Sequence, residues 1–129
     1  MKEVNVAAAI IQKDGKILCC QRGYGEFKGG WEFPGGKLEP GETGEQAAVR
    51  EIREELEIAI GDLEYLCTIE HDYPSFHLTM SCYLATYLSG KLHENAHEDI
   101  KWLDPDDLRT IDWLPADIKV VDELERKLA

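Results

Sequence analysis

GKLEPGETGEQAAVREIREELEI, residues 36–58, is the stretch that decides the fold. Thr43 followed by Gln46 is a capping-box pattern, so a helix starts there and runs to about Leu56. Ala48, Ile52 and Leu56 recur every four residues and Val49 widens the stripe, so one face packs on a sheet. Successive helical residues turn by about 100°, which puts Glu51, Glu54 and Glu55 in one arc on the side away from Ile52 and Leu56. Three crowded carboxylates repel one another. Hard oxygen ligands converging on Mg²⁺ turn that repulsion into binding. Arg50 lies four residues before Glu54 and can pair with it, fixing its orientation. The plain alternative is a solvated acidic helix face.

Immediately upstream, Phe33-Pro34-Gly35-Gly36-Lys37 puts two glycines and a cation ahead of the acidic helix. Glycine lets the backbone approach a metal or phosphate closely, and Lys37 offers a point charge. Gly35-Gly36 is read as a tight, flexible point; as a bare turn it would need no ligand. Further out, Val4 to Gln12 reads as a strand, Asp14-Gly15 as a turn and Lys16 to Gln21 as a returning strand. Residues 22–30 form a glycine-rich loop, and Trp31 to Phe33 a short extended piece. Downstream, Leu63 to His71 and Phe76 to Leu88 are strands joined by a turn at Asp72 to Ser75. Lys91 to Asp99 is a polar loop, Ile100 to Leu103 a short strand, and Asp104 to Leu108 the start of a helical turn. Pro115 to Leu128 is an amphipathic helix with Ile118, Val121, Leu124 and Leu128 on one side. This order predicts an α/β (α+β) fold, with a mixed sheet and a helix on each face.

The chain has 129 residues, 43% of them apolar, which suits one domain over 1–129 with a real core. Its 26 acidic residues against 14 Lys and Arg give a net charge of −12. That balance repels phosphate backbones and argues against DNA or RNA as a partner, while a small polyphosphate can bind once metal ions mask local carboxylates. Cys19, Cys20, Cys67 and Cys82 form no C-x-x-C pair, so no structural zinc site is expected. Cys19 and Cys20 read as reduced strand residues facing opposite ways, which points to the cytoplasm. No apolar run is long enough to span a membrane. His71, His77, His93 and His97 lack metal-ligand spacing, and His77 reads as a structural strand residue.

Gly36, Glu42, Arg50, Glu51, Glu54 and Glu55, with Ile52 and Ile58, match the Nudix box G-x5-E-x7-R-E-U-x-E-E-x-G-U, where U is bulky and apolar. Eight of its nine fixed positions are present, so the chain resembles the Nudix hydrolases. The likeness extends to V-A-A-A-I-I, W-E-F-P-G-G-K, W-L-x-P-D-D-L and L-P-A-D-I. It is nearest to the MutT subgroup and the bacterial CTP pyrophosphohydrolases. The resemblance implies the Nudix α/β/α sandwich, with the box (36–58) as loop–helix–loop. It also implies Mg²⁺-dependent hydrolysis (with Mn²⁺ as an alternative ion) of a nucleoside triphosphate to a monophosphate and pyrophosphate. By the same resemblance, the Gly35 carbonyl, Glu51, Glu54 and Glu55 hold the metal, and either Glu51 or Glu54 takes the proton of the attacking water. Arg50 joins the catalytic group by orienting Glu54. Arg22 and Lys37 contact phosphate, and Glu42 supports the loop.

Two positions depart from the family pattern. The box glycine is Glu57, which costs about 1 kcal/mol if its φ is positive, unless the helix ends differently. Relatives often carry a further metal-binding Glu six residues before a late Trp; counting back from Trp102 gives Ala96. Glu98 is the first substitute and Glu94 the second, against an alternative in which both belong to an exposed acidic loop. Asp117 stands where MutT relatives carry a base-reading Asn. An ionised Asp only accepts hydrogen bonds, which suits the amine of cytosine. It can also serve simply as a helix N-cap. Tyr73 and Phe76 can stack on a base or merely pack. The absence of a MutT-type Arg near Phe76 favours CTP, dCTP or a modified cytosine nucleotide over 8-oxo-dGTP. The rivals are another nucleoside diphosphate derivative such as ADP-ribose, and a non-catalytic nucleotide sensor. The enzyme is expected as a monomer or homodimer.

Overall fold

The computed structural model describes residues 1–93 and 97–128. Strands run over Lys2–Lys13 (β1), Lys16–Arg22 (β2), Trp31–Glu32 (β3) and Gly35–Lys37 (β4); after helix α1 (Gly44–Leu56) come Ile58–Tyr73 (β5), Phe76–Gly90 (β6) and His97–Leu103 (β7). A 3-10 turn at Pro105–Thr110 leads to helix α2 (Pro115–Leu128). The sheet has seven strands in the path β3-β2-β1-β6-β5, with β4 added to β1 and β7 to β2. Only β1 and β6 pair in parallel among the described strands; the other pairs are antiparallel, so the sheet is mixed as expected.

Strand alternation divides the core in two. Ala7, Ala9 and Ile11 of β1 face α1, where they meet Ala47, Ala48, Ile52 and Leu56; Ala8 and Ile10 face Val120, Val121 and Leu124 of α2. Cys19 lies in the α2-side cluster and Cys20 in the α1-side cluster. No disulfide forms among the described residues. Among the described residues no helix is long and apolar enough to cross a membrane.

The structure departs from the sequence-based expectations in five places. Gly35-Gly36 is not a turn but part of β4, in register with Ala8 and Ala7. A Cβ at Gly35 would overlap the Ala7 carbonyl, so glycine serves close strand approach there. β5 begins at Ile58 instead of Leu63, because Ile58 and Ile60 bury against the α1 side. The hairpin turn narrows to Pro74-Ser75, as Tyr73 pairs with Phe76. β7 takes in His97 to Asp99, which had read as loop. Leu128 is 54% exposed, since the buried stripe of α2 runs through Ala116, Asp117, Val120, Val121 and Leu124.

Candidate active site

Helix α1 is fixed at both ends. Thr43 accepts the Gln46 N–H (3.1 Å), while the Gln46 side chain accepts the Thr43 N–H (2.9 Å). At the other end Glu57 is left-handed (φ 60°, ψ 32°), and its N–H reaches the Arg53 carbonyl. Of the two outcomes left open for this position, the positive φ holds. Ile52 and Leu56 are fully buried, each worth about 1.5–3 kcal/mol of transfer free energy. Their burial turns the Glu51–Glu55 face toward β4. Gly36 is required at this contact, because a Cβ there would overlap the Glu51 carboxyl group.

Arg50 organises the glutamates. Its guanidinium donates to both Glu42 oxygens (2.7 and 2.9 Å), to Glu51 (2.8 Å) and to the Lys37 carbonyl (3.0 Å). The expected contact to Glu54 is the longest of its hydrogen bonds, at 3.4 Å. Hydrogen bonds from Arg50 and the Glu39 N–H hold the Glu42 carboxyl down at about 2, so Glu42 is a fixed anion clamping loop to helix. Arg50 is spent on protein groups, which makes it a positioning residue.

Beside this knot lies a cavity of about 450 Å³. Gly35, Gly36, Lys37, Glu51 and Glu55 form one end. Arg22 and Glu32 stand further along the wall, and Tyr73, Phe76 and Asp117 line it too. Burial raises the Glu55 pKa; Glu51 and Glu32 add to the rise, against the pull of His97 and Arg22. Glu32 is likewise half-buried, yet hydrogen bonds from His97 and Arg22 outweigh that burial and lower its pKa. Arg22 grips Glu32 through two N–H groups (3.2 and 2.5 Å). Glu54 is not among the residues that line the cavity, and its side chain is 59% exposed.

Aromatic side chains line the cavity as well. Tyr73 and Phe76 stack with ring centres 4.9 Å apart, so the pair packs internally and also faces the cavity. Trp31 exchanges backbone hydrogen bonds with Asp112 and Leu114, which anchors the start of α2 to β3. Asp117, in the first turn of α2, accepts the Phe33 N–H at 3.0 Å. Its carboxylate therefore ties α2 to the Trp31–Phe33 segment. Asp117 is 5% exposed, and burial pushes its pKa up to about 7.

Among the described residues no three His, Cys, Asp or Glu side chains form a ready-made metal cage. The donors nonetheless fit a hard divalent ion. Glu51 and Glu55 are carboxylates sharing one cavity lining with Gly35 and Gly36, and among the described residues no ion pair holds Glu55 as Arg50 holds Glu51. Glu98 is not brought to this place: its carboxylate is 48% exposed and lies 3.8 Å from Lys28. Glu94 and Ala96 lie outside the described residues.

Sequence reasoning missed Glu32 and His97. From Ile17↔Leu103 to Gln21↔Asp99 the β2–β7 register advances one residue against one, so Arg22 would next oppose Glu98. An irregularity between Gln21 and Arg22 sets it opposite His97 instead. The inward-turned residue is thus the histidine, with a side chain 3% exposed. Alternation along W-E-F could have flagged Glu32; nothing in the sequence marks the bulge.

Comparison with known proteins agrees with this geometry. The NUDIX domain model matches residues 1–124. The CTP pyrophosphohydrolase of Escherichia coli K12 is 37% identical over 123 residues, covering 95% of this chain and 91% of that protein. The 8-oxo-dGTP diphosphatase of Proteus vulgaris is 42% identical over 95 residues, 72% of this chain and 85% of its own. The crystal structure of a MutT NUDIX hydrolase from Burkholderia pseudomallei superposes with a TM-score of 0.86 at 31% identity, covering 96% of this chain and 99% of that one. The chain belongs to the NUDIX family and is a Nudix hydrolase that acts on nucleotide substrates.

Proposed function

We propose that this enzyme hydrolyses nucleoside triphosphates to a monophosphate and pyrophosphate with Mg²⁺, preferring cytosine nucleotides. One observation carries the reading: a single cavity is lined by Glu51, Glu55 and Asp117, and the Arg22 charge acts on both Glu55 and Asp117. A nucleotide laid along it puts its phosphates among the charged groups and its base against Tyr73, Phe76 and Asp117.

The Gly35 carbonyl, Glu51 and Glu55 would hold the ion from the cavity wall, with Glu54 joining from the exposed part of the same helix. The ion supplies charge neutralisation at the phosphate oxygens and acidifies a bound water. Glu98 is left out of this set because its carboxylate pairs with Lys28 away from the cavity. Glu51 keeps one oxygen on Arg50 at 2.8 Å, whereas Glu54 is exposed and only loosely held. Glu54 Oε1 is therefore the atom assigned to receive the water's proton. Arg22 and Lys37 face the phosphates as fixed positive charges. At the far end an ionised Asp117 accepts from the exocyclic amine of cytosine.

A nucleotide panel with Mg²⁺ tests the reading: CTP, dCTP, 5-methyl-dCTP, dGTP, 8-oxo-dGTP and ADP-ribose, scored for pyrophosphate against phosphate. Pyrophosphate release fastest from the cytosine members is the expected result. Turnover of ADP-ribose alone overturns the triphosphate reading, and a preference for 8-oxo-dGTP overturns the base assignment.

A further inference from the structure

Glu32 lies between two cationic or proton-donating groups, and one of them has no part in the chemistry above. Arg22 holds the carboxylate from one side through two N–H groups. His97 approaches Glu32 Oε2 from the other, with Nε2 at 3.5 Å. The imidazole is 3% exposed, and its Nδ1 has no hydrogen-bond partner among the described residues. A proton on Nδ1 would be buried without an acceptor, so the geometry favours the tautomer whose Nε2–H points at Glu32. The bulge in β7, where Glu98 is the extra residue, is what sets His97 opposite Arg22. Without it Glu98 would stand there, two carboxylates would compete for one guanidinium, and the histidine would turn away.

We infer that His97 is a positioning residue for the phosphate clamp: its Nε2–H fixes Glu32, and Glu32 fixes the plane of the Arg22 guanidinium. This rests on the reading of Arg22 as a phosphate contact. A guanidinium already bound on one edge by a carboxylate keeps its remaining N–H donors pre-aimed, so less freedom is lost when phosphate arrives. Removing the imidazole frees Glu32 to rotate and spoils that aim. The chemistry at Glu51, Glu54 and Glu55 is left in place.

His97→Ala and His97→Gln, each alone and combined with Arg22→Ala, test the inference. Three quantities are read: KM and kcat on the best nucleotide of the panel, calorimetric binding of inorganic pyrophosphate with Mg²⁺, and Mn²⁺ binding by electron paramagnetic resonance. His97→Ala is expected to raise KM and weaken pyrophosphate by about fivefold to tenfold, the scale of one ordinary hydrogen bond, as the 3.5 Å contact implies. Its kcat should stay within about twofold. His97→Gln, whose amide N–H can still donate to Glu32, should recover most of the loss. In the Arg22→Ala background His97→Ala should add almost nothing, because coupled residues are not additive. Glu32→Gln gives a second route should His97→Ala fail to fold, and must show the same KM-dominated loss.

Full additivity with Arg22→Ala overturns the inference, as does unchanged pyrophosphate binding in His97→Ala. A fall in Mn²⁺ affinity in that variant overturns it too, by making His97 a metal ligand. If the unaltered enzyme turns over no triphosphate, the functional proposal fails, while the pyrophosphate cycle still reports on the clamp.

Discussion

The two ends of the cavity are built on opposite electrostatic principles. At the α1 end, charges are numerous and half-exposed, and they are held in place by one another: Arg50 reaches Glu39, Glu42, Glu51 and Glu54. At the α2 end the Asp117 carboxyl stands among apolar neighbours, with backbone N–H groups, that of Phe33 first, as its donors. The first arrangement tolerates charge because its groups keep partners and some water. The second resists charge because burial removes solvation faster than those N–H groups can replace it. Chemistry on phosphate suits the first environment, and discrimination between bases suits the second, where a hydrogen bond lost is not replaced by water.

The largest effect expected from disturbing either end belongs to Glu54. Glu54→Gln should cut the rate of pyrophosphate release by about 10²–10⁴-fold, the usual range for a positioned general base. Its melting temperature should barely move, because Glu54 is exposed and loosely bonded. Wild-type turnover by that variant would mean the proton goes elsewhere, and Glu51→Gln would then be the decisive comparison.

Asp117→Asn disturbs the other end. The Phe33 N–H keeps an acceptor, but the amide can both donate and accept, so the preference between cytosine and guanine nucleotides should shift by about tenfold. Unchanged ranking across the panel would reduce Asp117 to a structural tie. Its stability effect has a definite sign. The folded pKa is raised from 3.8 to about 7, so the folded state holds the proton more tightly. That contribution is complete below about pH 4 and is lost as pH rises through 7. The melting temperature of Asp117→Asn relative to the parent should therefore climb between pH 5 and pH 8 in a calorimetric series; a flat difference would show that Asp117 is ionised throughout.

The smallest effect lies where α1 leaves the site. Glu57 holds a left-handed conformation that glycine adopts without strain. Glu57→Gly should stabilise the protein by about 1 kcal/mol, raising the melting temperature by a few degrees. Pyrophosphate release should be unaffected, since Glu57 is not among the residues that line the cavity. A loss of stability would show that the contact between Glu57 and His93 outweighs the backbone cost.

What could be read from the sequence alone was whatever a short stretch encodes by itself. The capping box at Thr43, the apolar stripe through Ile52 and Leu56, and the alternation that sends Cys19 and Cys20 to opposite cores all follow from fixed helix and strand periods. The acidic face of α1 was legible for the same reason. Tertiary structure decided the rest. Asp117 meets Phe33 across 84 residues of chain, and its raised pKa exists only because the wall around it excludes water. His97 displaced Glu98 from the site through one irregular step in β7, and Gly35-Gly36 became a strand because β1 lay alongside. Register and desolvation depend on what arrives from elsewhere in the fold, and no local pattern of residues carries that information.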